Sequence, residues 1–369
     1  MADLSLLIKP SSSLCNLRCS YCFYYDEAKN RETESYGFMK EEILEEVIKK
    51  AAQYCKGTCN IVFQGGEPTL RGLDFFKEVV RLQKKYETKE VKFTNGIQTN
   101  GTKLTKDWIS FLKENHFLVG ISLDGIEFTH DMFRKDASGK GTFEQVVKAI
   151  KMLEEEGVDY NILTVVTSAV VKKISHIYSF YKEMGFEYLQ FIPCLNPLGK
   201  EEEKYEYSLT PQGYGKFLNS LFDLWYQDLE RGKVVHIQLF EEYIRMLFRQ
   251  PPGLCGMAGF CTPQHIIEAD GEVYPCDFYV LDEYKLGNIV SNSFEEINEA
   301  RSILGFIEES LEIPKKCKAC KYYPLCRGGC KRYRKEHHML CKAYYEFFEY
   351  TIPRLEKAAV IYQKLYGIS

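Results

Sequence analysis

The chain has 369 residues, 45% hydrophobic and 27% charged, with 48 Lys plus Arg against 52 Asp plus Glu and a formal charge of −4. That length is enough for a large core and suggests two domains. The near-balanced charge argues against a nucleic-acid partner held by a basic face. No run approaches the ~20 apolar residues of a membrane span. Met1 to Pro10 lacks the basic and apolar regions of a signal peptide, so a cytoplasmic chain without a membrane partner is expected.

A strand-like run, Leu4 to Lys9, comes first. A helix follows, with Ile43, Leu44, Val47, Ile48, Ala51 and Ala52 at helical spacing. Strand Ile61 to Gln64 ends at Gly65-Gly66-Glu67-Pro68 and precedes helix Asp74 to Tyr86. Strand Val91 to Gln98 ends in Thr99-Asn100-Gly101, and a helix begins near Thr105. Strand Phe117 to Leu123 ends in Asp124-Gly125, before helix Phe143 to Glu156. Strand Tyr160 to Val166 leads to helix Ile174 to Met184. Strand Tyr188 to Ile192 leads to a helix from about Pro211 to Glu230.

Six β/α units imply a parallel sheet with helices outside it. A barrel is expected, with an open doubly wound sheet as the alternative. Every unusual motif falls on a loop after a strand, where either fold carries its chemistry. Gln250-Pro251-Pro252-Gly253 reads as a linker. The boundary is placed near 233, giving domains 1–232 and 233–369.

The 14 cysteines fall in two regions. Cys15, Cys19 and Cys22 form C-x3-C-x2-C, and eight more lie between 255 and 341. Three thiolates on one short loop can hold three irons of a 4Fe–4S cluster and leave the fourth open. The alternatives are a zinc site lacking a ligand, which closed zinc sites do not, or incidental thiols. Cys55, Cys59 and Cys194 are read as ordinary thiols.

At the triplet the chain resembles the radical S-adenosylmethionine superfamily, with Tyr21 before the last cysteine and Gly65-Gly66-Glu67-Pro68 after the second strand. The resemblance implies a partial (β/α)6 TIM-type barrel and S-adenosylmethionine chelated to the open iron. Glycine at 65 and 66 lets backbone approach a ligand closely. The family pattern also implies that Tyr21 and Leu195 lie by the adenine. Ser122 and Arg134 would hold the methionyl and ribose groups. A solvated loop charge is the alternative for Arg134.

Cys261-x9-Gly271-x4-Cys276, then Cys317-x2-Cys320-x5-Cys326-x3-Cys330, then Cys341 resembles the small cysteine-rich SPASM domain of peptide-modifying radical enzymes. Cys255 is well placed as an eighth ligand. The resemblance implies two auxiliary 4Fe–4S clusters, one on Cys255, Cys261, Cys276 and Cys330, the other on Cys317, Cys320, Cys326 and Cys341. A pair of structural zinc sites is the alternative.

Ser-Leu-Leu-Ile-Lys-Pro, Phe-Gln-Gly-Gly-Glu-Pro-Thr-Leu, Gln-Thr-Asn-Gly-Thr, Val-Tyr-Pro-Cys-Asp-Phe-Tyr-Val and Lys-Leu-Gly-Asn-Ile all resemble the anaerobic sulfatase-maturating enzymes. These oxidise a Cys or Ser in a C/S-x-P-x-R motif to Cα-formylglycine. By that resemblance a 5′-deoxyadenosyl radical abstracts hydrogen, Asp277 accepts the proton and the auxiliary clusters take the second electron. A turn-capping carboxylate is the alternative for Asp277. Tyr24, Gln64 and Asn100 become candidate peptide contacts. The implied partners are an unfolded or nascent sulfatase and a low-potential donor such as flavodoxin or ferredoxin. A maturase forming thioether or carbon–carbon crosslinks, and a zinc-bearing peptide-binding module, are the other readings.

Overall fold

The computed structural model describes residues 3–334 and 338–367. Its strands are β1 (Leu4–Ile8), β2 (Thr58–Phe63), β3 (Lys92–Thr99), β4 (Leu118–Ser122), β5 (Tyr160–Val166), β6 (Tyr188–Pro193), β7 (His236–Ile237), β8 (His265–Ile267), β9 (Glu272–Tyr274) and β10 (Gly287–Asn288). They form one sheet in the order β10-β9-β8-β1-β2-β3-β4-β5-β6-β7. Pairing from β1 through β7 is parallel. From β1 to β7 the strands follow one another in chain order, with no reversal of order across that part of the sheet. That excludes the doubly wound alternative, which needs a reversal. The result is the expected partial barrel.

Alternation gives each strand two faces. In β2, Cys59, Ile61 and Phe63 are fully buried, and the Phe63 ring meets Phe76 of helix Leu73–Tyr86 edge-on at 5.0 Å. Val62 and Gln64 instead line the barrel interior. That interior is a chamber of about 1040 Å³ that Gln98, Asn161 and Gln190 make polar. Cys55 and Cys59 belong to the main apolar core, and Cys194 is buried near Tyr207.

Local signals set the helix ends. Thr105 and Thr167 cap the helices Lys106–Glu114 and Ser168–Glu183. Helix Phe143–Glu156 stops at Gly157, which is left-handed at φ +67°. Within residues 1–232 two α-helices escape the sequence reading, Phe23–Lys29 and Glu127–Phe133. Each is too short to display a period, and each follows a site motif directly.

The sheet runs through position 233. β7 joins the edge at β6, and β8 pairs in parallel with β1. The cysteine-rich part therefore extends the barrel sheet at its other edge, where β9 and β10 add antiparallel strands. Helix Cys341–Tyr366 packs on helix Pro211–Glu230.

Candidate active site

A cavity of about 220 Å³ opens at the carboxyl ends of the barrel strands. Cys15, Cys19, Cys22, Tyr21, Tyr24, Gln64, Gly65, Gly66, Asn100, Ser122, Arg134, Leu195 and Asp277 all line it. Residues from six loops and both cysteine-bearing regions thus converge on one space.

The cysteine loop is clamped from below by the glycine turn. Glu67 N–H donates to the Leu14 carbonyl at 2.8 Å. A Cβ on Gly66 would strike the carbonyl oxygens of Leu14 and Ser12, and one on Gly65 would lie 2.5 Å from the Lys9 Cε. The space that glycine leaves is therefore filled by the chain itself. Glu67 is fully buried and accepts from Thr69 N (3.0 Å), Thr69 Oγ1 (2.7 Å), Thr99 Oγ1 (2.7 Å) and Asn100 N (2.8 Å). Four converging donors need an acceptor-only side chain, and a carboxylate supplies one. Glu67→Gln places an amide NH₂ among them. The expected cost is about 1–3 kcal/mol, read as a lower Tm.

Asn100 is turned toward the cysteine loop. Its Nδ2 donates to Asn16 Oδ1 at 3.0 Å and lies 3.9 Å from Cys15 Sγ. That amide supports the cysteine loop.

Asp277 Oδ2 accepts from Tyr24 Oη at 2.6 Å and weakly from Gln64 Nε2 at 3.4 Å. Gln64 Nε2 also donates to Tyr24 Oη at 2.6 Å. Oδ1 is buried and has no hydrogen-bond partner among the described residues. Burial pushes the Asp277 carboxyl above its usual range, while the nearby Lys9 ammonium and the Tyr24 hydroxyl pull it down. Lys9 lies 4.8 Å from the Tyr24 ring centroid and pairs with buried Glu268 at 3.0 Å. Arg31 meets the same Glu268 oxygen at 2.8 Å. A turn-capping role for Asp277 is not what its contacts describe, because its partners are side chains more than 200 residues away in sequence.

Asp124 organises the other wall. It is fully buried and takes Arg134 Nε at 2.9 Å, Val165 N at 2.9 Å and the Tyr21 hydroxyl. Arg134 is 8% exposed, so it is no solvated loop charge. Ser122 Oγ accepts from Gln98 Nε2 at 3.1 Å, and Leu195 is buried at the rim. The sequence shows Asp124-Gly125 at the end of the strand Phe117 to Leu123 but assigns Asp124 no role. Its position after β4 was the available signal.

The thiols sort into three groups by which of them feel one another's charge. Cys19 is within reach of Cys22 and Cys15. Cys276 feels Cys330 and Cys261, and Cys330 feels Cys255 and Cys261. Cys326 feels Cys341, Cys317 and Cys320. These groups match the three implied ligand sets. The last surrounds its own cavity of about 390 Å³. Burial pushes Cys15 up to about 11 and Cys19 to about 12, so a bound cation is needed to hold them as thiolates. Among the described residues, no three His, Cys, Asp or Glu side chains converge as closely as a single ion requires. Zinc draws its thiolates to about 2.3 Å from one centre, whereas a multi-iron cluster holds them further apart. The residues fit iron–sulfur clusters better than zinc.

Known proteins agree with this arrangement. The radical SAM superfamily model matches residues 10–176, and an iron–sulfur cluster-binding SPASM model matches 259–321. A cysteine-type anaerobic sulfatase-maturating enzyme of Clostridium novyi is 47% identical over 97% of this chain and 98% of its own. A serine-type enzyme of Bacteroides thetaiotaomicron is 33% identical over 96% and 90%. The solved structure of native anSMEcpe with bound AdoMet superposes with a TM-score of 0.93 at 45% identity, covering 97% of this chain and 99% of that one. The same enzyme is also solved with AdoMet and a Cp18Cys peptide. The chain belongs to the anaerobic sulfatase-maturating enzymes, the radical S-adenosylmethionine oxidoreductases with a SPASM domain that make Cα-formylglycine.

Proposed function

We propose that this enzyme oxidises a cysteine, in preference to a serine, within a C-x-P-x-R motif of an unfolded or nascent sulfatase in the cytoplasm. The higher identity to the cysteine-type relative supports that preference. No helix among the described residues is long and apolar enough to cross a membrane, which is compatible with this setting. We divide the chain into a radical SAM part, 1–232, and a SPASM part, 233–369.

The observation that carries the reading is the Asp277 carboxylate. Tyr24 and Gln64 hold Oδ2, Oδ1 is buried without a hydrogen-bond partner among the described residues, and Asp277 lines the cavity shared with the cysteine triplet. When bound, S-adenosylmethionine on the triplet's cluster supplies the hydrogen-abstracting radical, and the two cysteine-closed clusters supply a sink for the second electron. Cys15, Cys19 and Cys22 would hold the first cluster. Arg134 and Ser122, with backbone at Gly65 and Gly66, would bind the polar groups of the cofactor, and Tyr21 and Leu195 would lie by its adenine. Asp124 keeps Arg134 and Tyr21 in place. The Asp277 carboxylate takes the thiol proton as the neighbouring carbon is oxidised. Tyr24 fixes the angle of that carboxylate through its bond to Oδ2.

Tyr24→Phe removes the 2.6 Å bond and leaves only the 3.4 Å contact to Gln64. Turnover is expected to fall roughly tenfold or more while the clusters stay intact. Steady-state assays on reconstituted protein would measure it.

The test of function uses anaerobic enzyme, S-adenosylmethionine, dithionite and sulfatase-derived peptides in Cys and Ser versions. Mass spectrometry with a hydrazine trap reads the aldehyde. The Cys peptide is expected to convert faster, with 5′-deoxyadenosine formed alongside. Formation of 5′-deoxyadenosine with a crosslink in place of an aldehyde would overturn the reading.

A further inference from the structure

The chain from Cys194 to Thr210 joins β6 to helix Pro211–Glu230 as a loop. A loop lacks the ladder of a strand, so its order comes from the side chains that reach it. Cys194 N–H donates to the Val166 carbonyl at 3.1 Å and ties the start of this loop to β5. Asn196 staples the loop to itself. Its Nδ2 donates to the Glu201 and Glu203 carbonyls at 3.0 and 2.7 Å, and its Oδ1 accepts from Ser208 Oγ at 2.7 Å. Leu198 N–H donates to Asp26 Oδ2 at 2.7 Å, on the helix that follows the cysteine triplet.

Further ties come from the cysteine-rich part. Arg332 Nη2 donates to the Asn196 carbonyl at 3.0 Å, and Nη1 meets Glu201 Oε1 at 3.0 Å. Tyr333 Oη donates to the Pro193 carbonyl at 2.8 Å. Two adjacent buried residues thus grip the chain on both sides of Leu195. Both stand behind the wall of the active-site cavity, whereas Pro193, Cys194 and Leu195 are on it.

We infer that Arg332 and Tyr333 are positioning residues for S-adenosylmethionine, fixing the Pro193–Asn196 segment so that Leu195 is in place beside the adenine. The inference rests on the proposed function, which puts Leu195 there. A loop ordered before the cofactor arrives has little freedom left to lose on binding, so the grip acts on affinity. Arginine suits the task because its planar fork meets a carbonyl and a carboxylate at once, which an ammonium does not match. The side chains of the Arg332–Glu201 pair are only 6% and 10% exposed, so salt screens the pair little. The Tyr333 ring is itself held, stacked on His338 with 5.4 Å between centroids. Arg332 and Tyr333 follow Cys330 in the chain. The cysteine-rich part therefore completes one wall of the cofactor site of the barrel.

The test uses reconstituted holoenzyme and labelled S-adenosylmethionine in anaerobic equilibrium dialysis, without reductant. Arg332→Gln is expected to raise the cofactor's Kd roughly tenfold. Tyr333→Phe, which loses one hydroxyl and keeps the ring, is expected to raise it roughly threefold. Arg332→Lys should fall between wild type and Arg332→Gln. In steady state the KM for S-adenosylmethionine should rise by the same factors. At saturating cofactor, kcat and the KM for the Cys peptide should stay near wild type. A merely structural role would lower the iron content or kcat instead, and iron and sulfide analysis reads the former. Unchanged Kd in variants with full iron, or a fall in kcat at constant cofactor KM, would overturn the inference. Tyr333→Phe decides the matter if Arg332→Gln fails to fold. Aldehyde formation by the wild type is read separately. Aldehyde from the wild type with unchanged Kd in the variants would sink the grip and leave the proposed function standing. A crosslinked product with weakened cofactor binding in the variants would do the reverse.

Discussion

An Asp277→Asn variant is expected to keep the iron of every cluster and still produce 5′-deoxyadenosine, yet to lose peptide oxidation by roughly 10²- to 10⁴-fold. The substitution is close to isosteric. Tyr24 can still donate to an amide oxygen at the place of Oδ2, so the wall of the cavity keeps its shape. What disappears is the proton acceptor. Burial raises the carboxyl's proton affinity, and the Lys9 ammonium opposes that rise. The balance is a stronger base than a surface carboxylate. An amide is no base. The ratio of 5′-deoxyadenosine to trapped aldehyde is the diagnostic measurement. In the variant it should rise sharply, because hydrogen abstraction continues without productive loss of the thiol proton. A near-normal ratio would remove Asp277 from the mechanism and return it to a structural role.

Much of this site was legible before the structure, for reasons that differ residue by residue. Helices Phe143–Glu156 and Pro211–Glu230 have the bounds their periodicity implied, because each carries an amphipathic stripe and clear end signals. The cysteine groups were legible because cluster ligands sit at fixed spacings on short loops. Tyr24 and Gln64 were placed only by the motifs around them. Their bond to Asp277 joins chain positions 253 and 213 residues apart, which no local pattern encodes. Asp124 was in view as part of a motif. Its role depends on Tyr21 and Val165 arriving from other strands and loops, and that follows from the sheet order alone. The Lys9–Glu268 pair is hidden in the same way. It exists because β8 of the cysteine-rich part lies in parallel beside β1, with Ile8 opposite Ile267. The glycine pair was legible as a close approach, but the atoms that approach proved to belong to the chain.

That last point yields a contrast between adjacent glycines. Gly65 and Gly66 both adopt positive φ, +88° and +52°, so alanine costs about 1–2 kcal/mol of backbone strain at either site. The remaining effects should diverge. A methyl group on Gly66 meets the backbone carbonyls of Leu14 and Ser12, which lie immediately before Cys15. Backbone cannot swing aside as a side chain can. The loop must move, and Cys15, Cys19 and Cys22 move with it. Gly66→Ala is therefore expected to lose the iron of the triplet's cluster, keep that of the auxiliary pair and form almost no 5′-deoxyadenosine. A methyl on Gly65 meets the Lys9 side chain first, at 2.5 Å from Cε, 2.7 Å from Cγ and 3.1 Å from Cβ. Lys9 can yield by shifting along Glu268, but it then leaves Tyr24. Gly65→Ala is expected to keep the triplet's iron and to lose coupling between 5′-deoxyadenosine and aldehyde, as a weaker form of the Asp277 defect. Iron and sulfide analysis after reconstitution separates the two variants. Equal loss of iron in both would mean that the turn acts as one unit, and that the division between a cluster-facing and a base-facing glycine is wrong.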